Sequence, residues 1–93
     1  HAMRTKVQAL RKKQKNTLDQ IVKTPVPQGI KWSDIESLVK ALGGEIKEGR
    51  GSRCKFILNM SVACFHRPHP SPDTDKGAVE SVRDWLLSIG VKP

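Results

Sequence analysis

The run RCKFIL-NM-SVACFH at positions 53–66 decides how this chain folds. Arg53 to Leu58 alternates, Asn59-Met60 can turn, and Val62 to His66 alternates again, which is the pattern of a β-hairpin. If Asn59-Met60 is a two-residue loop, antiparallel pairing sets Leu58 opposite Ser61, Phe56 opposite Ala63, Lys55 opposite Cys64, Cys54 opposite Phe65 and Arg53 opposite His66. Side chains alternate across a strand, so Cys54, Phe56, Leu58, Ala63 and Phe65 share one face, the expected core. Arg53, Lys55, Ile57, Val62, Cys64 and His66 share the other, a mixed surface of cations, apolar groups and one imidazole. The register also places Cys54 and Cys64 on opposite faces, where no disulfide can join them.

Working outward, Gly49-Arg50-Gly51-Ser52 reads as a tight turn and Glu45–Glu48 as a short preceding strand. Upstream, Ser33-Asp34-Ile35-Glu36 has the capping-box pattern. Ile35, Leu38, Val39 and Leu42 form a helical apolar stripe that Gly43 ends. Downstream, Pro68-His69-Pro70-Ser71-Pro72 forbids helix and central strand, and Asp75 is the expected N-cap of a second helix. Its stripe is Val79, Val82, Leu86 and Ile89, with Gly90 as terminator. The fold class is therefore α+β, in the order α-β-β-β-α with a three-stranded antiparallel sheet, and the two helical stripes need the hairpin's apolar face.

Residues 3–23 add a basic N-terminal helix. From Thr5 to Lys23 there is no Gly or Pro, and Val7, Leu10, Leu18 and Ile21 fall on one side of the wheel, with Gln14 interrupting the stripe. A Pro/Gly linker, 24–31, follows, and the main domain spans 32–93. His1 and Ala2, ahead of Met3, read as the remnant of an expression tag.

The 93 residues carry 17 Lys and Arg against nine Asp and Glu, a formal net charge of +8. The excess sits in front: eight basic side chains against Asp19 alone give +7 for residues 1–31, and nine against eight give +1 for the rest. A basic segment of this kind attracts phosphate of any sort without reading sequence. The length excludes a large multi-domain enzyme. Two cysteines do not make a secreted disulfide scaffold, and the front lacks a signal peptide's apolar region, so a cytoplasmic, reducing location is expected, with no membrane partner.

The mixed face is where chemistry is expected. A neutral imidazole can accept or return a proton while guanidinium groups hold a phosphate, and His66 lies across from Arg53 and near Arg50 and Lys55. His69, at the end of the same strand, is a second proton carrier or a rim contact. No metal or cofactor is expected: Cys64, His66 and His69 are close, but no carboxylate or second cysteine pair completes a zinc set. Gly49–Ser52 lacks the spacing and terminal Lys-Ser or Lys-Thr of a P-loop, and the dispersed carboxylates disfavour a two-metal nuclease.

Residues 32–92 resemble the HicA family. The resemblance is carried by the leading helix ending Ala41-Leu42-Gly43-Gly44, the Gly51-Ser52 turn, Pro68-His69-Pro70 after the third strand, and Lys76-Gly77 opening a helix that ends Ile89-Gly90-Val91. It implies a double-stranded-RNA-binding-like fold and a toxin that cleaves mRNA and is neutralised by a HicB-type antitoxin. The family's catalytic histidine follows Gly-Ser, and Arg53 stands there in this chain; arginine stays protonated near pH 7 and is no general base. The expectation is therefore that His66 transfers the proton from the neighbouring strand and His69 assists. Arg50, Ser52, Arg53, Lys55 and Arg67 hold the RNA backbone. A non-catalytic module binding RNA or antitoxin on the same fold is the alternative, and the basic helix is a candidate for self-association through its apolar stripe.

Overall fold

The computed structural model describes residues 6–93. The tag remnant and the first residues of the expected basic helix, Arg4 among them, lie outside the described residues. The elements in chain order are α1 (Lys12–Ile21), α2 (Trp32–Ala41), β1 (Glu45–Glu48), β2 (Arg53–Leu58), β3 (Ser61–His66) and α3 (Lys76–Ser88). The strands form one antiparallel sheet in the order β1-β2-β3. This is the expected α-β-β-β-α arrangement with an additional helix in front.

The hairpin carries the expected register, Arg53 opposite His66 through to Leu58 opposite Ser61. Asn59 and Met60 both adopt positive φ, 52° and 64°, the backbone of the two-residue turn whose twist matches that of the flanking strands. One face of β2 is shut away: Cys54, Phe56 and Leu58 are buried. Phe56 sits at the centre of the chain's four aromatic residues, with ring centroids 5.4 Å from Trp32, 5.0 Å from Phe65 and 6.1 Å from Trp85. The indole nitrogens, which are costly to bury unpaired, are satisfied at once: Trp32 Nε1 donates to Glu36 and Trp85 Nε1 to the Ser61 hydroxyl. In α3 the expected cap is present, Asp75 accepting from the Ala78 amide.

Two local expectations fail. The helix expected from Thr5 to Lys23 is interrupted, with a short turn at residues 6–8 and an extended Arg11 ahead of α1. A straight helix of 19 residues would run about 28 Å, whereas the ten-residue α2 beside it offers about 15 Å. The bend brings Val7 back to the core, while Leu18 and Ile21 are buried between α2 and α3. Their stripe contributes on the order of several kcal/mol of burial. The capping box at Ser33 also does not form. A small antiparallel ladder, Thr74 N–H to Ile30 C=O and Trp32 N–H to Pro72 C=O, keeps the chain extended through Lys31, and α2 begins at Trp32. Ser33 therefore lies inside the first turn, and Glu36 is free for other partners.

Candidate functional site

Three rows of side chains cross the open face of the sheet. Antiparallel pairing aligns Glu45, Ile57 and Val62; then Lys47, Lys55 and Cys64; then the Gly49 turn, Arg53 and His66. Among the described residues no helix covers them: Arg53, Lys55, Val62, Cys64 and His66 are exposed. Of the two cysteines, Cys64 is exposed here and Cys54 is buried on the other side, where burial pushes its thiol pKa up.

The row nearest the β1–β2 turn opens into a shallow cavity of about 430 Å³ lined by Gly49, Arg50, Arg53, Cys54, Lys55, Cys64, Phe65 and His66. The turn is shaped by Gly51 at φ 61°, a conformation a side chain would strain, and is closed by the Arg53 amide donating to Arg50 C=O. It delivers Ser52 to the imidazole: the Ser52 hydroxyl lies 3.3 Å from His66 Nδ1. The Arg67 amide, donating to Ser52 C=O at 2.8 Å, ties the turn to the end of β3. The result is an imidazole among cationic side chains, oriented at one nitrogen. That arrangement can attract a phosphodiester and exchange a proton beside it.

The cavity brings together Arg50, Arg53, Lys55 and His66 of the expected residues, with Ser52 in contact through His66. His69 is exposed in the segment after β3 and is not among the lining residues. Arg67 turns elsewhere: its Nε meets Glu36 at 3.3 Å and its terminal nitrogen meets Glu48 at 2.7 Å. The hydrogen bond to Glu48 is the main cause that raises the pKa of this guanidinium above its ordinary value. Arg67 thus clasps the end of β3 to α2 and β1, with its charge compensated. Sequence reasoning missed this clasp, because Glu36 was read as a capping residue and Glu48 as a strand end.

Lys47 was missed as well. The alternation of Glu45-Ile46-Lys47-Glu48, combined with β1–β2 pairing, was the signal that could have placed it on the cationic row. Among the described residues no three or more His, Cys, Asp or Glu side chains gather as a metal-binding group. Among them, too, no helix is long and apolar enough to cross a membrane.

No curated protein and no solved structure matches the chain. The family model described as HicA toxin of bacterial toxin-antitoxin matches residues 32–90, which run from the first residue of α2 to the glycine that ends α3. That span covers well over half of the 93 residues and contains the whole sheet with both helices that flank it in sequence, so the chain belongs to the HicA family of toxins from bacterial toxin–antitoxin systems, a membership that implies an antitoxin partner.

Proposed function

We propose that this toxin is an endoribonuclease that cleaves mRNA without a metal, with His66 as its proton-transfer residue. The observation that carries the reading is the position of the His66 imidazole, paired across the strands with Arg53 and 3.3 Å from the Ser52 hydroxyl, in a cavity that Arg50 and Lys55 also line. Ser52 engages Nδ1, so proton transfer falls to Nε2. His66 takes the proton of an RNA 2′-hydroxyl as that oxygen attacks the adjacent phosphorus; the bond to the 5′-oxygen breaks, the leaving oxygen takes a proton from water, and the imidazolium returns its own proton to solvent at this exposed site. The products are a 2′,3′-cyclic phosphate and a 5′-hydroxyl. Arg50, Arg53 and Lys55 neutralise charge building on the phosphoryl oxygens, and Ser52 orients the imidazole. His69 is the assisting proton carrier. Arg67, already committed to Glu36 and Glu48, contributes by holding the end of β3 in place.

A HicB-type antitoxin is the partner this reading assigns, and the cytoplasm is where both would meet mRNA. The replacement of the family's histidine by Arg53 supports a second reading, a module that binds RNA or antitoxin without cleaving. One assay separates the two. Long single-stranded RNA is incubated with wild type and His66→Ala, in EDTA, from about pH 5 to 8, the range that brackets an ordinary imidazole. Cleavage by wild type and its loss in the folded variant is the expected result. Equal cleavage by both overturns the role of His66, and binding without cleavage by wild type establishes the second reading.

A further inference from the structure

The two edges of the sheet are built differently. The outer edge of β1 is four residues long and carries Glu45, Lys47 and Glu48, the short and charged form that resists unwanted pairing. The outer edge of β3 is six residues long, and Ser61 to Phe65 hold no charge, no proline and no bulge. Its hydrogen-bonding pattern follows from two contacts. The Arg67 amide donates to Ser52 C=O on the β2–β3 side, and the Gly49 amide donates to Arg53 C=O on the β1–β2 side. Strict alternation then turns the N–H and C=O groups of Val62, Cys64 and His66 away from the sheet. Among the described residues none pairs with these groups, and Val62 is 58% exposed.

We infer that the β3 edge accepts an extended, acidic segment of a partner protein as a fourth strand. Main-chain hydrogen bonds to Val62, Cys64 and His66 supply the register, and charge selects the occupant. A strand added there lies about 10 Å from β2, two strand spacings, so glutamates on its open-face positions come within a Debye length of Arg53 and Lys55. Its alternate residues fall on the side of Ala63 and the half-buried Phe65, where apolar groups fit. A second copy of this chain fits badly, because pairing β3 with itself sets two cationic faces side by side on molecules of formal charge +8. The acidic strand stands beside His66 and shields the cationic cavity from a polyanion. That last consequence rests on the ribonuclease reading; the pairing does not.

The test is amide hydrogen exchange on the isotope-labelled full chain at pH 7, with a capped ten-residue peptide alternating glutamate and valine as the probe and a lysine–valine peptide as its control. Without peptide, the amides of Ala63, Phe65 and Arg67 are protected and those of Val62, Cys64 and His66 exchange freely. With the glutamate peptide, Val62, Cys64 and His66 slow by more than about tenfold. The lysine peptide leaves them unchanged. Cys64→Pro, which removes an outward amide and none of the bonds to β2, abolishes the effect while the thermal midpoint stays near that of wild type. If that variant does not fold, the alternating wild-type pattern decides alone. No slowing at millimolar peptide, equal slowing by both peptides, protection at the β1 amides of Ile46 and Glu48 instead, or protection that rises with protein concentration alone each overturns the inference. The readout is independent of RNA cleavage, so loss of either reading leaves the other standing.

Discussion

On the helix-covered face of the sheet, Cys54, Phe56 and Leu58 are sealed beneath α2 and α3, and each buried indole nitrogen has an acceptor. On the open face, a few ångströms away through the same backbone, Lys55, Cys64 and His66 meet solvent beside Arg53. One strand therefore serves two ends. Alternate residues of β2 face the core or face solvent, and a shift of one residue in register would exchange the two sets.

The largest effect that could break this division is at the centre of the covered face. Phe56→Ala removes the ring shared by Trp32, Phe65 and Trp85 and should cost about 3–5 kcal/mol, enough to unfold much of a domain this small. Urea titration checks it, and an unchanged midpoint would show that the aromatic cluster is not the core. Leu18→Ala extends the test to α1: if that helix belongs to the same buried side, about 2–5 kcal/mol is lost, whereas a detachable arm would lose almost nothing. Glu36→Ala takes the acceptor from Trp32 Nε1 and one carboxylate from Arg67, for about 1 kcal/mol given the partial exposure of the ion pair, read as a thermal shift.

Smaller still is the pH effect at Cys54. Burial raises its folded-state pKa above the ordinary 9.0, so at higher pH the unfolded chain ionises first and stability falls as pH rises from that value through the folded one. Cys54→Val should lack this loss when unfolding curves at pH 8 and pH 10 are compared. Alkylation of the folded wild type should modify Cys64 and spare Cys54. On the open face Lys55→Ala should move stability by no more than about 0.5 kcal/mol. The same substitution should lower the salt slope of single-stranded RNA binding by about 0.7, one phosphate's share of released counterions.

The sheet was legible because the information was local. Asn59-Met60 fixes the loop length, and once that is fixed the alternation on either side leaves one register that buries Phe56 and exposes Lys55. The capping of α3 by Asp75 and the termination of α2 at Gly43, φ 95°, were legible for the same reason. What escaped reading depends on residues distant in sequence. The start of α2 is set by Pro72 and Thr74 rather than by Ser33. The bend before α1 returns Val7 to a core completed by α2 and α3, elements further along the chain. Arg67 was placed with the RNA-facing cations because nothing near it in sequence announces Glu36 or Glu48, and Lys47 was overlooked because β1 is too short to show its phase alone.

Helix α1 packs against both α2 and α3, and α3 begins 55 positions after α1 ends. During synthesis at about 5–20 residues per second, Leu18 and Ile21 therefore leave the ribosome roughly 3–11 s before the residues that close over them. A chain broken off anywhere in that interval lacks Val79, Val82 and Leu86 and cannot seal its core, even where it already extends past His66 and holds the complete hairpin. Joining the first helix to the last thus makes closure of the core wait until nearly the whole domain has been synthesised.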